Sequence, residues 1–169
     1  MSKTRFSAII FFALAIISIA VPLFYYPLLP QNMASHFNFK NEADGWMSKR
    51  SFFAVQIAVT FFLWGMFLLI AGLLHKFPDS AINLPNKNFW LSRFHREETM
   101  STLKDFFYWI GNITMAFMLL LFLEVYKINM NGSLKMDSKI WMYTILFIAA
   151  LTFLITRMIL HFNKTEKSI

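Results

Sequence analysis

The sequence predicts an all-α fold: an integral membrane four-helix bundle with an amphipathic interfacial helix before the third span. The first observation is composition, since 57% hydrophobic and 15% charged residues are too apolar for the wetted surface of a soluble 169-residue domain. The second is the clustering of the charges, which leaves four apolar runs of about twenty residues, the length that crosses a ~30 Å hydrocarbon core. We therefore expect one membrane domain over residues 1–169.

The apolar runs predict four spans, at about residues 6–26, 52–74, 106–126 and 140–160. The first run has an alternative interpretation as a cleaved signal peptide, because Ser18 and Ala20 have the small-residue spacing of a cleavage site. The run continues into Tyr25 and Tyr26, however, and such an aromatic pair is typical of a span end at the headgroup level. An uncleaved first span is the interpretation that we favour.

A second helical pattern precedes the third span. Apolar residues recur there at steps of three and four, at Met100, Leu103, Phe107 and Ile110. The opposite positions are polar, at Glu97, Glu98, Ser101 and Lys104. This pattern predicts an amphipathic helix at the membrane surface, with Phe89, Trp90 and Leu91 as an interfacial anchor in the loop before it.

The net charge of +7 does not indicate a nucleic-acid partner, because the basic residues lie beside the ends of the apolar runs, where lipid headgroups explain them. With the N-terminus inside, ten of the sixteen lysines and arginines fall on the cytoplasmic side. This bias predicts that both termini are cytoplasmic, that the first loop faces outward, and that the lipid bilayer is the principal partner.

The first loop, residues 27–51, is the candidate site. It is a polar interruption between two spans and contains our candidate binding residues, which are His36, Asn38, Asp44, Trp46 and Lys49. We expect Asn41 to adopt a left-handed conformation and Asp44-Gly45 to form a turn.

Three roles remain open for these residues. A histidine beside a carboxylate can bind a metal or transfer protons. The loop can also recognise a peptide or protein. Alternatively, Asn38 and Asp44 make Asx-type bonds that hold the loop's own backbone, while His36 donates to a carbonyl.

No nucleotide-binding or nucleophilic-catalysis motif is present in the sequence, and we predict no catalytic residue, no metal site and no cofactor. The alternative is a small membrane enzyme that uses His36 and Asp44, or a transporter centred on Glu124 and Asn112. Glu124 precedes Lys127 by three residues, so a headgroup-level ion pair is the interpretation of Glu124 that we favour.

The residues from Leu29 to Lys49 carry a motif, L-P-x-x-x-x-S-H-F-N followed by D-G-W-M-S-K. It resembles the bacterial membrane domain of unknown function found at the N-terminal end of SdpI-type immunity proteins. The resemblance extends over about residues 21–71. The positions that match the family pattern are Pro30, His36, Phe37, Asn38, Asp44, Trp46 and Lys49. The family usually has glycine near the position of Asn41.

This resemblance implies a multi-pass protein of the bacterial cytoplasmic membrane. Some members of that family protect the cell from a secreted peptide toxin and hold a transcriptional repressor at the membrane. The expected function is therefore non-enzymatic, with the outer loop recognising a peptide or envelope component. The basic inner loop, with Arg93, Arg96 and Lys104, is expected to engage lipid or a cytoplasmic protein.

Overall fold

A computed structural model describes residues 3–164, apart from the side chain of Lys3. Of these described residues, 75% are helical. The elements in order are α1 (Lys3–Tyr25), β1 (Asn32–Phe37), β2 (Ala43–Ser48), α2 (Lys49–Leu73), α3 (Lys87–Trp90), α4 (Arg96–Asn131) and α5 (Lys139–Phe162). Single 3-10 turns follow α1 and α2 and precede α3, at Tyr26–Leu28, Leu74–Lys76 and Asp79–Ala81.

Four helices, α1, α2, α4 and α5, are long and apolar enough to cross a membrane by length and composition, which indicates a multi-pass membrane protein. These helices confirm the four predicted runs, with boundaries that differ by a few residues at most ends. Helix α4 is the centre of the arrangement, because it packs against α1, α2 and α5. Helix α5 contacts the rest of the protein mainly through α4.

The prediction of an all-α fold was wrong at the first loop. Residues 32–48 form an antiparallel hairpin in which Asn32 pairs with Ser48 and Phe37 with Ala43. The polar–apolar alternation of Ser35 to Phe39 suits a strand, and Asn41, with φ of 61°, supplies the left-handed turn residue that we expected. We interpreted the segment as a loop because it is a polar interruption between two apolar runs.

The amphipathic segment predicted before the third span is continuous with that span. Helix α4 runs unbroken for 36 residues, about 54 Å at 1.5 Å per residue, so the amphipathic segment is its first part. Its apolar positions Met100 and Leu103 are buried against Leu74, Ile82 and Trp90. The loop between α2 and α4 covers this face.

The same loop caps the end of α5, and this corrects the predicted interfacial anchor. Trp90 is only 5% exposed, and its indole Nε1 donates to the carbonyl of Phe162 at 2.8 Å. Asn86 donates from Nδ2 to the carbonyls of Phe162, at 3.2 Å, and Asn163, at 2.9 Å. The last carbonyls of a helix have no partners within it, so residues 86–90 satisfy groups that would otherwise be unpaired.

The hairpin and the loop between α4 and α5 lie at one end of the helices. The amide of Ala43 donates to the carbonyl of Leu134, and the amide of Met136 donates to the carbonyl of Asn41, both at 2.7 Å. At the other end Thr4 lies 3.4 Å from Ser101 between their hydroxyl oxygens. The four long helices therefore run alternately between two ends.

Gly111 allows α1 and α4 to approach closely. A Cβ atom at this position would lie 2.8 Å from a ring carbon of Phe11 and 3.1 Å from one of Phe67. Both rings are buried, and Phe11 also packs against Trp64 and Tyr108, with ring centroids 6.3 Å and 5.3 Å away. Small residues permit such approaches between apolar helices, where packing supplies much of the association energy.

We predict that Gly111→Ala lowers the free energy of unfolding by about 1–3 kcal/mol, because the new methyl group overpacks the contact with Phe11 and Phe67. Thermal unfolding of the purified protein in detergent micelles measures the effect. The matched control is Gly65→Ala in α2, where no atom lies within 4 Å of the new Cβ. Equal melting temperatures for the two variants would contradict the close-packing argument.

Candidate functional site

The hairpin turn is held by the side chain of Asn38. Its Oδ1 accepts hydrogen bonds from the backbone amides of Lys40, at 2.9 Å, and Glu42, at 3.1 Å. The Asn38 amide donates to the Glu42 carbonyl at 2.9 Å, which closes the turn. These are the Asx-type bonds considered for Asn38 from the sequence, and they give this candidate binding residue a structural role.

His36 and Asp44 form a side-chain pair on the hairpin. Asp44 Oδ1 lies within hydrogen-bond distance of His36 Nδ1, and a carboxylate oxygen can only accept, so Nδ1 carries the proton of this bond. This bond fixes the ring so that Nε2 is the nitrogen available to other partners. The side chains are 73% and 43% exposed, so both can be reached from outside the protein.

Gly45 is what allows His36 to take this position. The two residues are opposite each other in the hairpin, beside a register irregularity between Ala34 and His36. A Cβ atom on Gly45 would lie 2.9 Å from His36 Cβ, closer than real Cβ contacts allow. Residue 45 must therefore lack a side chain if the imidazole is to reach Asp44.

Helix α4 anchors the hairpin through Asn129. Its Oδ1 accepts from the backbone amide of Ala34 at 2.8 Å, and its Nδ2 donates to the Ala34 carbonyl at 2.9 Å. Beside it, fully buried Met33 packs in a cluster that includes Tyr126, whose hydroxyl group donates to Gln56 of α2. The hairpin is thus fixed to α4, which is itself tied to α2.

A cavity of about 640 Å³ lies under the hairpin, between α4 and α5. Its rim is formed by polar hairpin residues, including the His36–Asp44 pair, together with exposed Phe39. Its wall is apolar and is formed by Phe52, Met118, Leu121, Phe122, Val125, Met136, Ile140 and Trp141, with Thr144 as the polar exception. Of the part of the chain that the structure describes, no lysine or arginine lines this cavity.

Three carboxylates at this end have lysine partners. Glu42 lies 3.9 Å from Lys135, and Glu124 lies 4.0 Å from Lys127, in both cases between a carboxylate oxygen and Nζ. In the loop before α5, the Lys139 backbone amide donates to Asp137 at 3.0 Å, which lowers the pKa of that carboxyl group. The Lys139 ammonium group, 3.6 Å away, acts in the same direction.

The remaining two candidate residues lie away from the cavity. Trp46 is half exposed and pairs across the hairpin with Ala34. Lys49 is only 6% exposed, and its Nζ donates to the carbonyls of Tyr26, at 3.1 Å, and Leu29, at 2.8 Å. A cation at the carbonyl end of a helix is stabilising, so Lys49 ties the first turn of α2 to the chain leaving α1.

The polar residues proposed as a transport centre are separated. Asn112 donates to the carbonyl of Ser7 at 3.0 Å, near the other end of the protein. Glu124 accepts from the hydroxyl group of Tyr143 at 3.5 Å and is about 18 Å from Asn112 along α4, at 1.5 Å per residue. Its i,i+3 contact with Lys127 agrees with the favoured ion-pair interpretation.

Sequence reasoning missed the contribution of α4 and α5 to the site. The wall residues Met118, Leu121, Phe122 and Val125 have helical spacing, but lipid-facing residues have the same spacing and composition, so no sequence signal separates them. Asn129 was hidden in the segment KINMNGS, whose Asn131-Gly132 pair predicts a turn. Asn129 stands just before that predicted turn, and nothing in the sequence indicates that its side chain bonds to a strand.

Comparison with known proteins locates one similar region. Residues 13–62 match the family model described as "Domain of unknown function (DUF1648)", from within α1, through the whole hairpin, to the middle of α2. No curated protein and no solved structure matches the chain. The match confirms the predicted resemblance to a domain of unknown function around the motif, and the candidate residues His36, Asn38, Asp44, Trp46 and Lys49 all lie inside it.

Proposed function

We propose that this protein is a non-enzymatic, multi-pass protein of the bacterial cytoplasmic membrane whose outward hairpin recognises a peptide or envelope component. The observation that carries the proposal is the open cavity of about 640 Å³ with the His36–Asp44 pair at its rim. Ligand sites typically have volumes of about 300–1,000 Å³, apolar walls and few polar groups, and this cavity fits that description.

The resemblance to SdpI-type proteins supports a role in immunity or signalling. In that role the hairpin binds a secreted peptide, and the opposite end communicates with lipid or with a cytoplasmic protein. Of the basic residues proposed for that end, Arg93 is exposed beside Phe94, while Arg96 is bound to Asp79 at 3.0 Å. Arg93 is therefore a better candidate for such a contact than Arg96.

One observation favours a second candidate, a membrane enzyme. The carboxylate of Asp44 orients His36 so that Nε2 is available, an arrangement that suits a general base. If the protein is such an enzyme, Asp44→Asn should abolish its activity while the protein still binds its substrate. A transporter is less well supported, because Gln56, Asn112 and Glu124 bond to different partners at different depths.

We predict that the hairpin faces the outside of the cell. Single cysteines are informative in this chain because it contains no native cysteine. In intact cells, an impermeant thiol reagent should label Lys40→Cys and Ser133→Cys but not Asn88→Cys, since all three positions are exposed but lie at opposite ends. Lys40 is preferred to Asn41, whose positive φ would strain a cysteine.

Permeabilised cells provide the control, because all three cysteines should then react. Labelling of Asn88→Cys alone in intact cells would put the hairpin in the cytoplasm. Recognition of a secreted peptide would then be excluded.

We further predict that cells lacking the protein are more sensitive to the secreted peptide fraction of their own species, because they have lost the protein that binds the peptide. His36→Ala removes the rim imidazole, and Gly45→Ala displaces it, so neither variant should restore survival. Survival counts and membrane potential measure the effect, and immunoblots of isolated membranes establish the protein level.

His75→Ala is the matched control, because His75 is exposed at the opposite end and should protect as well as wild type. If the deletion causes no change in sensitivity, immunity is the wrong function. If His36→Ala and Gly45→Ala lower the membrane level of the protein in parallel with survival, the role of His36 is structural.

A further inference from the structure

We infer that the cavity accepts a peptide that presents a primary ammonium group to Asp44, beside His36, and inserts an apolar side chain between α4 and α5. This inference rests on the proposed function and names the chemistry of its ligand.

The rim charges favour a cation. Each of the other three carboxylates at this end, Glu42, Glu124 and Asp137, has a lysine within 4.0 Å. Within residues 3–164, Asp44 has only the His36 imidazole as an ionic partner. The second oxygen of Asp44 is thus an acceptor at the rim with no lysine partner, and an ammonium group, with three donors and a positive charge, can bind it while His36 Nδ1 holds the first oxygen.

The remaining basic residues of this end do not oppose that cation inside the cavity. Lys49 is buried against the carbonyls of Tyr26 and Leu29. Lys40 and Arg50 are exposed and do not line the cavity. Their charges act across water, where screening over about 8–10 Å weakens them relative to a direct contact with Asp44.

The lining argues against a phospholipid as the occupant. A phosphatidylethanolamine headgroup also has an ammonium group, but it carries a phosphate that needs a cationic or strong donor partner. Among the described lining residues there is no lysine or arginine, and the Asp44 carboxylate would repel the phosphate. A peptide amine, from an N-terminus or a lysine, has no attached anion of this kind.

The wall sets the apolar part of the ligand. Met118 and Val125 mark its extent along α4, which is about 10 Å at 1.5 Å per residue. Phe122 and Trp141 supply aromatic surface from α4 and α5. This depth accommodates a large side chain such as phenylalanine or leucine next to the amine, and aromatic surfaces favour such contacts.

The test uses the full chain, with ¹⁵N-labelled histidine, in nanodiscs of phosphatidylglycerol. The probes are Phe-Leu-Phe-amide with a free α-amine and the same peptide N-acetylated, which removes the charge. NMR of the imidazole nitrogens follows His36, whose signal is identified with His36→Gln. The other histidines, His75, His95 and His161, lie away from the hairpin and report non-specific effects.

We expect the free-amine peptide to shift the His36 signal with an affinity about ten-fold higher than that of the acetylated peptide, because a charge-assisted bond is lost on acetylation. Asp44→Asn keeps an acceptor for Nδ1 but removes the charge, and it should abolish this preference. Asp137→Asn is the matched control, since it removes a carboxylate from the same end but not from the cavity, and the preference should persist. Thr144→Phe fills the cavity and should abolish binding of both peptides.

Equal affinities of the two peptides, both lost in Thr144→Phe, would overturn the ammonium contact while leaving the recognition cavity intact. A preference that survives in Asp44→Asn would assign the selectivity to another group. Loss of peptide binding when phosphatidylethanolamine is added to the nanodiscs would make the lipid the occupant and overturn the peptide. No saturable shift with either peptide would also overturn this inference, whereas the protection assay judges the proposed function separately.

Discussion

The bidentate hydrogen bond between Asn129 and Ala34 is the contact on which the hairpin depends. An isolated two-stranded hairpin is at best marginally stable in water. In this hairpin the free edge of β1 faces α4. Buried backbone amides and carbonyls must be paired, because leaving one unpaired costs about 1–3 kcal/mol. Asn129 pairs both groups of Ala34 with one side chain and so fixes the position of β1 on α4. The other edge is paired through Leu134 and Met136 of the loop before α5.

This dependence has a consequence for the matched domain. Residues 13–62 contain α1, the hairpin and half of α2, yet α1 and α2 pack mainly against α4 rather than against each other. Asn129 and Tyr126, which hold Ala34 and Gln56, both lie outside the match. Within the match, Lys49 links the first turn of α2 to the chain that leaves α1. In this protein the matched segment therefore packs chiefly against a helix that the family model does not include.

The sequence was sufficient for features that depend on local chemistry. Apolar runs predicted the four long helices, and the tolerance of asparagine for positive φ predicted the conformation of Asn41. The sequence was insufficient to place a side chain that is suited to two different environments. Trp90 was assigned to the membrane interface, but its indole nitrogen finds a helix-end carbonyl and its ring becomes buried. Lys49 was assigned to a binding surface, but two backbone carbonyls from a distant segment enclose it. Such outcomes depend on contacts between residues far apart in sequence, which pattern and propensity do not encode.

The cavity follows from the same constraints that stabilise the hairpin. Backbone groups that become buried must be paired within the protein, and those of the hairpin are paired by α4 and by the loop before α5. Its turn then spans the gap between α4 and α5, and α5 is held mainly by α4. The hairpin turn forms one side of this gap, and side chains of α4 and α5 form the other. The gap therefore has a polar rim and an apolar wall. The His36–Asp44 pair lies at that boundary because Gly45 leaves room for the imidazole. Asn38 and Met136 both stabilise the hairpin and line the cavity, whereas Asn129 and Lys49 lie outside its lining. Substitutions of His36 or Asp44 can therefore change recognition without removing the bonds that Asn129 and Lys49 make.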